Sequence, residues 1–162
     1  MIQSFFVYGL FGLLMFLLGT YSSRRQSVYN RLGKYTSFWV WDVLLALLLF
    51  ALISGIRWNV GVDHLVYLEN YLKQQNFGRL VLDKEVGFEF ITRLFTGSGF
   101  HFSFYFGFLA FLQIFFVYRA FKNERYLYPF IAIVIIFGPH YLSWMNGIRQ
   151  MIVAKFLRLQ KI

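Results

Sequence analysis

Between Ile2 and Ser23 the chain carries no charged residue, and about 20 apolar residues are what a helix needs to cross the hydrocarbon core of a bilayer. The segment is therefore predicted as a first spanning helix. No Lys or Arg precedes it and no small-residue cleavage pattern follows its core, so it reads as a retained anchor and not as a cleaved signal peptide.

The composition points the same way. Hydrophobic residues make up 59% of the 162 positions, aromatics 23% and charged residues only 14%, where a soluble domain carries roughly a quarter charged. Apolar residues fill whole windows without a helical or strand period. Sixteen Lys and Arg against seven Asp and Glu leave a net charge of +9. In a soluble chain that excess would suggest nucleic acid, but here it lies mainly beside the apolar spans, and no nucleic-acid partner is expected. With no cysteine, neither a disulfide framework nor thiolate chemistry is available.

Three further spans follow along the chain. The second runs from about Ser37 to Ile56, entered through Trp39, Trp41 and Asp42 and filled by the Leu-rich run Leu44 to Leu52. The third runs from about Gly99 to Tyr118 and is rich in Phe. The fourth, about Tyr126 to Trp144, holds Pro129 and Pro139, of which the latter should kink or end the helix. G-I-R-Q-M-I-V-A-K-F opens an incomplete fifth. The expected fold is all-α: a polytopic helical membrane protein with about four transmembrane helices, one membrane domain over residues 1–162, and a long exoplasmic loop, 57–98, containing short interfacial helices.

Charge in the short connections orients the spans. Arg24, Arg25, Arg31 and Lys34 follow the first span with no acid among them, and Arg119, Lys122 and Arg125 follow the third against Glu124. Both connections should be cytoplasmic. The loop from Arg57 to about Gly97 balances five basic residues with five acids and belongs outside, as does the region near Asn146 to Arg149.

Within the outer loop, Leu65, Leu68 and Leu72 recur at helical spacing with Tyr67 and Tyr71 four apart. A short amphipathic helix capped by Asp63 and lying along the membrane surface is predicted. Glu85, Glu89 and Arg93 follow at i, i+4 and i+8, as one charged stripe on a largely apolar helix. At the entrance to the loop, R-W-N-V-G-V-D sets Arg57 and Asp63 where an apolar span meets polar chain. A guanidinium fork there can hold a phosphate or carboxylate bidentately, and Asp63 can act as base, sugar ligand or helix cap.

R-W-N-V-G-V-D at the outer end of a span, the tyrosine-bearing helix after it, the acidic E-V-G-F element some twenty residues on, and N-G-I-R-Q opening a later span together resemble the EpsG family. Each piece is short, and their order and spacing over about Ile53 to Ala154 carry the likeness. Members are bacterial exopolysaccharide and O-antigen polymerase-like membrane proteins. The resemblance implies a multi-pass glycosyltransferase of the bacterial inner membrane. Such an enzyme transfers a growing glycan from an undecaprenyl-pyrophosphate carrier at the outer face, with other polysaccharide-assembly membrane proteins as partners and no cofactor. Because family members have roughly ten or more spans, this chain is expected to correspond to an N-terminal portion, through truncation or frameshift, and to be inactive alone.

The chemistry assigns roles to particular residues. Glycosyl transfer from a lipid pyrophosphate needs cations for the charge on the leaving group and a base for the attacking hydroxyl. Arg149 and Arg57 are the candidate cations, and Asp63 is the leading acid. Glu85 ranks second, since with Glu89 and Arg93 it also reads as a solvated salt-bridge ladder. Asn146 and Gln150 beside Arg149, and Tyr67 and Tyr71 as sugar-stacking rings, complete the substrate-binding candidates. Interfacial arginines also snorkel to headgroups, and interfacial tyrosines also anchor helices. His64, His101 and His140 lack ligand spacing, so no metal is expected. A transporter or flippase subunit, or an inert membrane fragment, are the alternatives. A transporter should show acids or broken helices near the midplane, repeated between halves, and the sequence has neither.

Overall fold

The computed structural model of the protein describes residues 2–56, 64–77 and 86–137. All regular structure among them is helical: α1 (Ile2–Arg31), α2 (Trp41–Ile56), α3 (His64–Phe77), α4 (Val86–Gly97), α5 (Phe102–Ala120), a 3-10 turn (Arg125–Leu127) and α6 (Tyr128–Phe137). α1 has 30 residues and α5 has 19, roughly 45 and 28 Å at the helical rise. These two are long and apolar enough to cross a membrane, while α2 and the segment Arg125–Ile136 are shorter apolar helices.

The helix ends differ from the sequence expectation for physical reasons. α1 continues past Ser23 to Arg31, because Arg, Gln and Ser are tolerated in a helix once it has left an apolar region. It ends at Gly33, whose φ of 65° only glycine adopts freely. The amides of Gly33 and Lys34 turn back onto the Asn30 and Tyr29 carbonyls at 3.1 and 2.9 Å, satisfying the last turn. α2 starts at Trp41, later than Ser37. Pro129 is the second residue of α6, in the first turn, where its missing N–H leaves no helical hydrogen bond unmade. Pro139 lies outside the described residues.

The chain divides into two compact units. The first comprises residues up to Phe50 together with those from Gln113 to Tyr141. In it α1 packs along α6 closely enough that a Cβ on Gly19 would lie 2.8 Å from the Pro129 nitrogen. Phe11, Met15, Leu47, Phe50, Tyr118 and Tyr128 are buried there. The outward face of α1, with Phe6, Leu10, Leu13 and Leu17, is exposed and apolar.

The second unit includes residues from Ala51 to Leu112. Here α2 crosses α5 backbone to backbone: a Cβ on Gly55 would lie 2.6 Å from the Ser103 carbonyl oxygen, and one on Gly107 would lie 3.2 Å from that of Ala51. Small residues at these positions let the two helices approach. Tyr67, Leu68 and Tyr71 of α3 pack with Tyr105, Phe106 and Leu109 of α5, and Ile91 and Phe95 of α4 lie against them. The buried stripe of α3 is thus Tyr67, Leu68 and Tyr71, while Leu65 and Leu72 are exposed. The aromatic rings offer more area to bury than the leucines do.

Candidate functional site

Three of the sequence-derived site residues adjoin helix ends in the chain: Arg57 directly follows α2, Asp63 directly precedes α3, and Glu85 directly precedes α4. These three, with Asn146, Arg149 and Gln150, lie outside the described residues. What the structure does describe is the helical frame of α2, α3 and α4, which adjoin three of them in the chain.

That frame is tied by α3. Tyr71 is 1% exposed, and its hydroxyl donates to the Phe100 carbonyl at 2.6 Å. Its ring centroid is 4.9 Å from that of Tyr105. Burial pushes the Tyr71 phenol up from its usual value near 10, so it stays a neutral donor. Tyr67 is buried in the same cluster. On α4, Thr92 Oγ1 and the Tyr105 hydroxyl share a hydrogen bond of 2.9 Å, and Thr96 Oγ1 donates to the Thr92 carbonyl. On the outer face of α4, Arg93 meets Glu89 at 2.6 Å one turn earlier, two of the three residues of the charged stripe read from the sequence. Both tyrosines named as sugar-stacking candidates therefore have their rings in the helix packing of this unit.

The first unit holds polar groups that sequence reasoning took only as topology signals. Arg25 Nη1 donates to Asp42 Oδ1 at 3.1 Å, and the Asp42 side chain is fully buried. Arg125 is 1% exposed. Its Nη2 donates to the Ser37 carbonyl at 2.6 Å, and longer contacts of 3.4 Å reach Ser22 Oγ from Nη1 and the Lys122 carbonyl from Nε. Gln26 completes the set: its Nε2 donates to the Lys122 and Asn123 carbonyls at 3.4 and 3.1 Å, and its Oε1 accepts from the Arg125 amide at 2.9 Å. Arg125 and Gln26 thereby hold the end of α1, the α1–α2 connection and the α5–α6 connection together. Nearby, the Tyr128 hydroxyl donates to the Tyr118 carbonyl at 2.8 Å, ring centroids 4.3 Å apart.

Such a knot is a clamp and not a substrate site, since its guanidinium is enclosed and its donors are taken up by the Ser37 and Lys122 carbonyls and the Ser22 hydroxyl. Buried charge of this kind is kept only when its hydrogen bonds are supplied. The sequence signal for Asp42 was an acid in the first turn of an apolar span with an arginine 17 residues earlier. For Arg125 the sequence carried no signal, because Ser22 and Ser37 lie 103 and 88 residues away in the chain and its near acceptor, Lys122, offers only a main-chain carbonyl.

The EpsG family model matches residues 40–159, a stretch that contains all eight site residues derived from the sequence. No curated protein and no solved structure matches the chain.

Proposed function

The chain belongs to the EpsG family, and from that premise we propose that it is a multi-pass inner-membrane protein of bacterial surface polysaccharide assembly, acting in the polymerisation of glycan repeats carried on a lipid pyrophosphate. The observation that carries this reading is the family match over residues 40–159, which spans R-W-N-V-G-V-D and N-G-I-R-Q in their expected order. In this account Arg57 and Arg149 neutralise the leaving pyrophosphate, and Asp63, with Glu85 as the second acid, accepts the proton of the attacking sugar hydroxyl. Asn146 and Gln150 hold the sugar, while Tyr67 and Tyr71 fix α3, the helix that follows Asp63 in the chain.

Two structural facts support the membrane part of the reading. α1 and α5 are long and apolar enough to span, and leucines and phenylalanines along their outer faces are exposed, which suits helices in contact with lipid. The basic connections after α1 and after α5 meet at one end of the first unit through Gln26 and Arg125, in keeping with both being cytoplasmic.

The test is Arg149→Lys in the cells that make the polymer. Lysine keeps the charge and loses the planar fork; long polymer should disappear while the variant stays in the membrane fraction. Unchanged polymer length in a membrane-retained variant would remove Arg149 from the mechanism.

A further inference from the structure

Beside the buried knot, an open groove of ≈ 570 Å³ runs along the last turns of α1, lined by Ser23, Gln26, Ser27, Asn30, Arg31 and Tyr126. Gln26 forms part of its wall and its amide is fully engaged with the α5–α6 connection. The other five side chains make no hydrogen bond or ion pair with any described residue. They are two serine hydroxyls, one amide, one phenol and one guanidinium, five donor-bearing groups with no carboxylate among the lining residues.

The carbonyls of Val28, Tyr29 and Asn30 accept from the amides of Leu32, Gly33 and Lys34, which engages three of the four acceptors at this helix C-terminus, and the guanidinium of Arg31 supplies positive charge against the helix dipole there. Gln26 and the Arg125 backbone fix the wall, so the serines and Arg31 are carried on a held surface. A carboxylate would use two or three of these donors. A tetrahedral phosphate presents oxygens in more directions, and a guanidinium fork suits it.

We propose that this groove binds a phosphate group, borne by an anionic lipid headgroup or free in solution, with Arg31 as its charged partner and Ser23, Ser27, Asn30 and Tyr126 as neutral donors. It uses none of the residues assigned to glycan transfer above. Its lipid form rests on the membrane reading.

The test uses the full chain purified in detergent, with bound lipid counted by native mass spectrometry after exposure to phosphatidylglycerol or phosphatidylcholine, and with inorganic pyrophosphate as the soluble probe. Arg31→Gln removes the charge, Ser27→Phe fills the groove from an exposed position, and Lys34→Gln removes a nearby charge that does not line it. Arg31→Gln and Ser27→Phe are expected to lower phosphatidylglycerol retention about tenfold, and Lys34→Gln to leave it within about twofold. Arg31-dependent retention of phosphatidylglycerol that pyrophosphate does not displace identifies a headgroup. Arg31-dependent binding of pyrophosphate identifies a free phosphate. Equal losses in Arg31→Gln and Lys34→Gln, retention unchanged by Arg31→Gln and Ser27→Phe, or binding of neither probe to the parent chain would overturn the site. Recovery of the parent chain from the membrane fraction, scored separately, reports on the membrane reading and not on the groove.

Discussion

Arg125 Nη2 donates to the Ser37 carbonyl at 2.6 Å across 88 residues of chain, and this contact closes the α5–α6 connection onto the α1–α2 connection. Because Arg125 is 1% exposed, its loss takes the donor from the part-buried Ser37 carbonyl, at about 1–3 kcal/mol. Arg125→Ala should lower the thermal aggregation temperature of the purified protein by several degrees, and Arg125→Lys should recover only part of it. A lysine variant as stable as the parent would show that charge, and not the fork, is what the site uses.

The Arg25–Asp42 pair is tested by a double-mutant cycle. Asp42→Asn alone should destabilise, since the carboxylate is buried while Arg25 is partly exposed. Arg25→Gln combined with it should cost less than the sum, by about 1 kcal/mol of coupling. Strict additivity in thermal denaturation would mean the two side chains do not act as a pair.

Backbone proximity gives the sharpest contrast among the glycines. Gly55→Ala places a methyl group 2.6 Å from the Ser103 carbonyl oxygen, and Gly19→Ala places one 2.8 Å from Pro129; overpacking of this kind costs about 1–3 kcal/mol. At Gly9 a Cβ meets nothing within 4 Å, and Gly9→Ala should be neutral or stabilising. Equal tolerance of all three in a thermal shift assay would contradict the close crossings.

How much of this was legible in the sequence depends on the distance over which each feature is decided. α1, α2, α5 and the existence of α3 follow from local hydropathy and spacing, and were expected. The buried face of α3 was not, because Tyr67 and Leu65 are equally acceptable on a helix and only the rings of α5 choose between them. Arg25, Asp42 and Arg125 were read for their charge alone, since the side-chain partners of these residues lie 17 to 103 residues away. Tyr71 was read as a sugar-stacking ring, and its bond to the Phe100 carbonyl is set by how α3 lies on α5, which no local pattern encodes.

The Tyr71 hydroxyl carries a pH signature. Burial raises its pKa above the usual 10, so the folded form holds this proton more tightly than the unfolded form. Its contribution is complete below about pH 10 and is lost as pH rises through the raised value. Tyr71→Phe should lose about 1 kcal/mol at neutral pH and show a smaller further loss than the parent between pH 9 and 11. Parallel alkaline profiles for the two proteins would mean that Tyr71 ionises freely.

Cysteines at Lys34 and Asn123 probe the end at which the two basic connections meet. Both positions are exposed, and each should react with a membrane-impermeant maleimide only after the cells are permeabilised. Labelling of either in intact cells would reverse the orientation.

The most direct test of the polymerase reading is the size distribution of surface polysaccharide in cells from which this gene has been deleted and then restored. The account predicts loss of long polymer with accumulation of single repeats on the lipid carrier, reversed by the intact gene and not by Arg149→Lys. An unchanged polymer distribution after deletion, with no accumulated lipid-linked repeat, would contradict it.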